Sequence, residues 1–449
     1  MSHKIKLLLT IACLLAIASC GGGGGGTSGG VASNNNSTTT TPPVTTPNAG
    51  DCELPSYNYG DIKIPDAYAG SLQIPTPSGK LDASIIRTIN LADFDSWGAK
   101  PVTSNCTNKE QFRINAYIED LNRVKKLGGE RIWIYNYAHW EDFSKSIWMA
   151  SEQEFILPRS VLKSVVEEAH KRNIKVYYAF QQSFDCDLKG VCLDFTKLST
   201  DELSKLLESH KSQILSDAVF GASIGLDGIK IELDAFSPKR ISNASQTTFD
   251  IYKNKINESI DNVRKIYKGK ISYGSGGIYD PIIMNKVDEI IVPLYLSKVV
   301  NPFTVEQWKN EALSYLSNFK YWDINIFNIP TTTKTPISWE IYLSSGKDFY
   351  SPLGQQGERF CGKTQISQNN CLASSQLADF SMQAVAAEGT LQALSTQQLY
   401  KTGSISFYGF WHGDFLIPTD IGGAIVFPNL DNSIRNKPAE AIVKAWYGK

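Results

Sequence analysis

The chain has 449 residues, a formal net charge of −1 at pH 7 and 42% hydrophobic residues. This balance gives no electrostatic argument for nucleic-acid partners, which favour strongly basic surfaces. Residues 51–449 are enough for one large domain, and α/β barrels reach this size when their loops carry insertions.

The N-terminus has the pattern of an export signal. Two lysines precede an apolar run from Leu7 to Ala18, which is shorter than the about 20 apolar residues of a membrane-spanning helix. A basic start, a short apolar middle and a junction of small residues are typical of a signal peptide. The junction Ile17-Ala18-Ser19-Cys20 resembles a bacterial lipobox. We therefore predict a lipoprotein signal over residues 1–20 with Cys20 acylated; an ordinary secretory signal cut near Ser19 is the alternative.

Residues 21–50 are predicted to form a disordered linker. Gly21–Gly26 is followed by a stretch rich in Ser, Asn, Thr and Pro, which cannot bury enough apolar surface to fold. The sequence thus predicts one folded domain over residues 51–449, tethered to a membrane through an N-terminal lipid. Gly21 gives no signal for inner-membrane retention, so the expected location in a Gram-negative cell is the outer membrane.

The cysteines agree with export. Cys13 leaves with the signal, and an even number of cysteines in an exported chain suggests disulfides. Besides Cys13 and the predicted acylation site Cys20, six cysteines remain: Cys52, Cys106, Cys186, Cys192, Cys361 and Cys371. Sequence proximity favours Cys186–Cys192 and Cys361–Cys371, which leaves Cys52 with Cys106, but other pairings remain open. The chain has no CxxC motif and no histidines at metal-ligand spacing, so we expect no metal and no other cofactor.

After the linker, short apolar runs alternate with longer amphipathic stretches. The predicted strands are, in order, Ile85–Asn90, Arg131–Tyr135, Ile174–Phe180, Gly228–Leu233, Lys270–Tyr273, Val287–Leu294, a segment within Ile324–Glu340, and Ser404–Trp411. The predicted helices are Glu110–Lys126, Pro158–Arg172, Ser199–Phe220, Thr247–Tyr267, Val305–Leu316, Leu377–Leu394 and Lys437–Trp446.

Eight strands separated by helices imply parallel pairing through right-handed crossovers. The closed form of that arrangement is a (β/α)8 TIM barrel, with its active site at the carboxyl ends of the strands. An open doubly wound sheet is the alternative, but it would commonly carry a glycine-rich first turn for a nucleotide, and none is present.

Polar and aromatic residues cluster just beyond the predicted strands. Rings that stack on a sugar, together with polar groups that bond its hydroxyls, would suit a carbohydrate site. The candidate substrate-binding residues are Trp97, Tyr137, Trp140, Gln181, Asp234, Tyr273, Tyr295, Tyr342, Trp411 and His412.

Hydrolysis of a glycosidic bond needs two carboxyl groups across the scissile bond. Glu232 is the first candidate because it ends an apolar strand, where burial disfavours ionisation as a general acid requires. Side chains alternate along a strand, so Lys230 shares its face and a structural ion pair is the alternative.

Glu340 is the second candidate, as the nucleophile. A strand ending in Trp339-Glu340-Ile341-Tyr342 would place its carboxylate at the mouth of the seventh strand. If Ile324–Ile329 is that strand instead, Glu340 lies on a loop. Asp234 is a weaker substitute.

The order of these motifs resembles the clan A (β/α)8 glycoside hydrolases, most closely family 113, the β-mannanase-like group. Leu226–Leu233 is similar to the fourth-strand motif whose glutamate is the acid/base, and Val287–Tyr295 to the sixth strand. Trp339–Tyr342 resembles the nucleophile motif, and Lys437–Glu440 the start of the closing helix. The resemblance implies a retaining, endo-acting β-glycosidase that acts as a monomer on polysaccharide, with Glu232 and Glu340 about 5 Å apart.

The missing Asn of that pattern and the two possible registers of the seventh strand support a different class of protein. Ile231 stands where clan A enzymes commonly have Asn, and Lys230 adds a charge where a small residue is expected. The alternative is a non-catalytic carbohydrate-binding or envelope polysaccharide assembly protein on a TIM-barrel scaffold.

Overall fold

A computed structural model describes residues 70–92, 109–138, 140–142, 147–148, 157–182, 198–231, 245–274, 280–296, 303–318, 333–343, 379–408, 419–421, 424–426 and 433–448. Eight parallel strands close into a barrel. They are β1 Ile86–Ala92, β2 Arg131–Ala138, β3 Lys175–Gln182, β4 Gly228–Ile231, β5 Lys270–Gly274, β6 Glu289–Tyr295, β7 Ile337–Tyr342 and β8 Thr402–Phe407. The predicted barrel is confirmed, and the open doubly wound sheet is excluded.

A helix follows each strand in the chain, as a (β/α)8 fold requires. These helices are α1 Lys109–Leu127, α2 Arg159–Lys171, α3 Thr200–Ile224, α4 Gln246–Ile266, α5 Pro281–Lys286, α6 Val305–Asn318, α7 Phe380–Thr396 and α8 Pro438–Tyr447. Two short antiparallel ribbons lie outside the barrel sheet, Trp140–Asp142 with Ile147–Trp148 and Thr419–Ile421 with Ala424–Val426.

Local sequence signals set several of these boundaries. Ser199 caps α3 with a complete capping box, in which its hydroxyl accepts from the backbone N–H of Glu202 while the Glu202 carboxylate accepts from the Ser199 backbone. The same helix ends at Gly225, whose φ of 73° lies in the left-handed region that glycine adopts without strain. Of the helices described, none is both long and apolar enough to cross a membrane.

The register of the seventh strand is resolved by its neighbours. Glu340 pairs with Pro293 of β6 on one side and with Ser406 of β8 on the other. Glu340 therefore lies within a central barrel strand and not on a loop. The other segment considered for this strand, Ile324–Ile329, lies outside the described residues.

The two faces of the barrel strands carry different side chains. Outward-facing residues of the strands pack with the helices in one large apolar core, which includes Ile89, Ile134 and Trp339. A second, smaller cluster contains Trp133, Tyr135, Tyr177, Ala179 and Ile291. Because side chains alternate along a strand, Trp133 and Tyr135 share the interior face while Ile134 between them faces the helices.

The amino ends of the strands close the barrel interior with a buried polar layer. Arg131 of β2 donates two hydrogen bonds to the carboxylate of Glu289 on β6, at 3.0 and 3.1 Å. Ser272 of β5 also donates to Glu289 at 2.8 Å, and Arg131 bonds Thr88 of β1 at 2.9 Å. This layer is the floor beneath the candidate site.

Candidate active site

The structure describes the side chains of some predicted site residues, only the backbone position of others, and does not describe the rest. The side chains of Glu340, Tyr342 and Tyr273 are described. Only the strand or ribbon position is described for Tyr137 in β2, Gln181 in β3, Tyr295 in β6 and Trp140 in a ribbon. The following predicted residues lie outside the described part of the chain: Trp97, Glu232, Asp234, Trp411, His412, Cys20, Cys52, Cys106, Cys186, Cys192, Cys361 and Cys371.

Glu340 is the centre of a polar cluster inside the barrel. It is 1% exposed. Its Oε1 accepts hydrogen bonds from the Asn90 side-chain amide of β1 and the Tyr135 hydroxyl of β2, while its Oε2 accepts from the Tyr342 hydroxyl at 2.9 Å. Donors from three barrel strands thus hold both carboxylate oxygens in place.

Asn90 is itself held by a neighbour. Its Oδ1 accepts a hydrogen bond from the Ser406 hydroxyl, and Ser406 lies on β8 beside Glu340. An amide group that accepts through its oxygen presents its NH₂ group on the other side. This contact therefore orients the Asn90 NH₂ group toward Glu340.

Tyr135 connects Glu340 to a buried lysine. The ammonium group of Lys230, on β4, donates to the Tyr135 hydroxyl at 3.2 Å and lies 4.7 Å from the centroid of its ring. Lys230 is 1% exposed. Lys230, Tyr135 and Glu340 therefore form a continuous hydrogen-bonded chain across the barrel interior.

Three tyrosines form an aromatic wall beside the carboxylate. The rings of Tyr342 and Tyr408 stack with centroids 4.4 Å apart and planes 28° apart. Tyr135 meets Tyr408 edge-on at 5.9 Å. Such a wall fixes the ring planes, and hence the directions in which the hydroxyls of Tyr135 and Tyr342 donate.

The floor below the cluster is rigid and charged. The guanidinium carbon of Arg131 lies 4.4 Å from the centroid of Tyr177, which also packs edge-on against Trp133. Burial raises the pKa of Tyr177 to about 12, although the nearby Arg131 acts in the opposite direction. Tyr177 therefore stays neutral at physiological pH and supports the site by packing.

Tyr273 differs from the expectation of a substrate-binding role. It is fully buried in the outer core, and its hydroxyl lies 3.3 Å from that of Tyr252 on α4. Its neighbour Ser272 faces the barrel interior, so alternation along β5 turns Tyr273 toward the helices. The prediction is corrected: Tyr273 contributes to packing between strand and helix.

Sequence reasoning missed Asn90, Tyr135, Ser406 and Tyr408 as parts of the site. Each lies within a predicted strand, whereas most of the predicted site residues lie at or just beyond the strand ends. The alternation of side chains along a strand could have indicated them, because residues two positions apart share a face. Asn90, Tyr135 and Ser406 thus lie on the same face of their strands as Thr88, Trp133 and Ser404.

The cluster offers carboxylate, amide and hydroxyl groups but shows no metal-binding geometry. No group of three or more His, Cys, Asp or Glu side chains within the described ranges could hold a metal ion. A buried, oriented carboxylate at the centre of a barrel can act chemically as a nucleophile or a base.

Comparisons with known proteins agree with the fold. The GH113 β-mannanase from Alicyclobacillus acidocaldarius is similar over 82% of this chain and 98% of its own, with a TM-score of 0.53 and 13% identity. A second structure, described as a GH113 β-1,4-mannanase, is similar over 81% of this chain and 99% of its own, with a TM-score of 0.50 and 13% identity. No protein-family model and no curated protein matches the sequence. The expected likeness to the (β/α)8 glycoside hydrolases is confirmed for the fold.

Proposed function

We propose that this protein is a retaining glycoside hydrolase that cleaves β-linked polysaccharide of the mannan or glucan kind. The observation that carries this proposal is the buried Glu340 carboxylate, which donors from three barrel strands hold in a fixed orientation. Unlike Glu289, which pairs with Arg131, Glu340 accepts these hydrogen bonds from neutral side chains inside the barrel.

In the proposed first step, Glu340 attacks the anomeric carbon of the sugar. An electron pair of one carboxylate oxygen forms the ester bond, the glycosidic C–O bond breaks, and the leaving oxygen takes a proton from the carboxyl group of Glu232. In the second step, Glu232 takes a proton from water, whose oxygen bonds to the anomeric carbon and releases Glu340. The role of Glu232 is assigned from the sequence, in which Glu232 directly follows the last residue of β4.

The hydrogen bonds favour Oε2 as the attacking oxygen. A carboxylate oxygen has about two lone-pair sites. Oε1 accepts from both Asn90 and Tyr135, whereas within the described residues Oε2 accepts from Tyr342. Oε2 therefore keeps a lone pair for the sugar, and Oε1 becomes the carbonyl oxygen of the ester.

The choice of substrate class has two sources of support. The similar structures are described as β-mannanases, and β-mannan is therefore the first polysaccharide to test. Aromatic residues that follow the strands in the sequence, Trp97, Trp140 and Trp411 among them, would provide rings on which sugars stack.

The test is hydrolysis of a panel of β-mannan, glucomannan, β-glucan and xylan by the wild type and by Glu340→Gln. We expect product from at least one polysaccharide and a loss of at least about 1,000-fold in kcat for the variant.

Glu388→Gln is a matched control, because Glu388 is equally buried and accepts several hydrogen bonds, from Trp446 Nε1 at 2.7 Å among others, but lies on α7. Full activity of Glu340→Gln contradicts the proposal. Binding of a polysaccharide without any product favours the carbohydrate-binding alternative.

We further infer that the enzyme works at the cell surface, lipid-anchored through Cys20 and followed by the linker of residues 21–50. The support is the sequence pattern at the N-terminus. Labelling with a radioactive fatty acid in the wild type but not in Cys20→Ala, with the label in the outer-membrane fraction, is the expected result. Secretion of unlabelled wild type would leave the ordinary signal peptide as the explanation.

A further inference from the structure

We propose that Lys230 is a positioning residue for the nucleophile, and that it acts on Glu340 through the hydroxyl of Tyr135. The inference rests on the proposed function of Glu340. It concerns a residue at which the sequence departs from the related motif, since a small residue is expected at position 230.

The first step of the argument is the direction of the hydrogen bonds. An ammonium group has donors and no acceptor. The Tyr135 oxygen therefore accepts from Lys230 at 3.2 Å, and its single hydrogen goes to Oε1 of Glu340. The hydroxyl cannot reverse this direction while the lysine is in place.

The second step is the electrostatics of the chain. A donor to the Tyr135 oxygen polarises its O–H bond, and hydrogen bonds in such a chain strengthen one another in a low-dielectric interior. All three side chains of the chain are buried, with 1% exposure each. Lys230 therefore strengthens the hydrogen bond from Tyr135 to Oε1, and water does not screen its charge at this buried position.

The third step is the location of Lys230 relative to the two carboxyl groups. Lys230 lies on β4, two positions before Glu232 in the sequence, while Tyr135 lies on β2 and Glu340 on β7. One lysine therefore links the strand that leads to the proposed acid/base with the strand that carries the proposed nucleophile.

The hydrogen bonds to Oε1 affect the chemical steps of the proposed reaction. When the ester forms, Oε1 becomes its carbonyl oxygen, and when water cleaves the ester, negative charge returns to the carboxylate. Donors aimed at Oε1 stabilise the transition state of that second step without contacting the substrate. Loss of Lys230 should therefore slow hydrolysis of the ester, which lowers kcat and KM together and leaves kcat/KM nearly unchanged.

The experiment is a double-mutant cycle with Lys230→Met and Tyr135→Phe, measured on the polysaccharide that the wild type hydrolyses. Lys230→Met should lower kcat about tenfold, as expected when a hydrogen bond to a charged group is lost, with kcat/KM within about twofold. In the Tyr135→Phe background the same substitution should change kcat by less than about twofold, because the path to Glu340 is already absent.

Lys437→Met is the matched control. Lys437 is also buried, donates to the Ser433 carbonyl at 2.6 Å and lies 5.3 Å from the centroid of the Phe380 ring, and neither contact involves the Glu340 cluster. It should keep the wild-type kcat. If Lys230→Met does not fold, Lys230→Gln replaces it in the cycle, since Gln is too short to keep the contact.

The outcomes separate the two proposals. A tenfold effect of Lys230→Met that persists in the Tyr135→Phe background, a rise in KM with unchanged kcat, or no effect at all overturns the positioning role while Glu340 remains the nucleophile. Absence of hydrolysis by the wild type, or full activity of Glu340→Gln, overturns the proposed function itself and the role of Lys230 with it.

Discussion

Tyr342 and Glu340 lie two residues apart on β7, and the Tyr342 hydroxyl donates to Oε2 of Glu340 at 2.9 Å. The two side chains face the barrel interior together because residues i and i+2 of a strand share a face. The strand thus supplies the proposed nucleophile and one of its donors from the same four-residue motif, Trp339–Tyr342.

Removal of that donor should weaken catalysis without unfolding the barrel. Tyr342→Phe keeps the ring that stacks on Tyr408 and removes only the hydroxyl. We expect kcat/KM to fall about tenfold, which corresponds to about 1.4 kcal/mol of transition-state stabilisation. Steady-state kinetics with the best polysaccharide of the panel provide the measurement.

The control for this substitution is Tyr252→Phe. It removes a buried hydroxyl outside the Glu340 cluster, which lies 3.3 Å from the Tyr273 hydroxyl between α4 and β5. Its activity should equal that of the wild type. Equal losses in the two variants would show that the effect of Tyr342→Phe is a general loss of packing.

The Arg131–Glu289 pair in the barrel floor should matter for stability. Both side chains are buried, at 1% and 8% exposure, so Glu289→Gln leaves the guanidinium without its counter-charge. We expect the free energy of unfolding to fall by about 3–5 kcal/mol, the usual cost of breaking a buried ion pair. Urea denaturation followed by tryptophan fluorescence measures it.

An exposed ion pair gives the comparison. Glu168 pairs with Lys171 at 2.6 Å on the surface of α2, and hydrogen bonds from Lys171 and Arg172 lower the pKa of its carboxyl. Glu168→Gln should cost less than about 1 kcal/mol, because water and salt screen such pairs. A loss as large as that of Glu289→Gln would contradict the distinction by burial.

Asp217 on α3 should make stability depend on pH. Burial raises its pKa from 3.8 to about 6, against the weaker opposing effect of Arg159, and its Oδ2 has no hydrogen-bond partner among the described residues. The folded state therefore binds the proton more tightly than the unfolded state does. Its contribution to stability is present below about pH 4 and is lost as the pH rises through about 6.

Asp217→Asn keeps the side chain neutral at every pH. We expect the variant to exceed the wild type by roughly 1–3 kcal/mol in free energy of unfolding at pH 8. The difference should vanish below about pH 3, where Asp217 is protonated in both states. Denaturation curves at several pH values measure it, and a difference that is constant with pH would show that Asp217 does not titrate in this range.

The sequence by itself determined the class of fold. Apolar runs such as Arg131–Tyr135 and the helical spacing of Glu110–Lys126 are local signals, and their alternation leaves few ways to bury both faces of a parallel sheet. The capping box at Ser199 and the glycine at 225 set helix ends from contacts within a few residues. Glu340 was also found from the sequence, because a carboxylate near the end of a predicted strand is a simple pattern.

Only the tertiary structure decided what surrounds Glu340. Asn90, Tyr135 and Lys230 come from β1, β2 and β4, far from Glu340 in the sequence, and barrel closure brings them together. Two competing segments could each have formed the seventh strand, and pairing with β6 and β8 selected Ile337–Tyr342. Pairing of β5 with β4 and β6, opposite Ile231 and Ile290, placed Tyr273 on the outer face. A sequence records which residues alternate along each strand, but the face that becomes the interior depends on the register of every strand around the closed barrel.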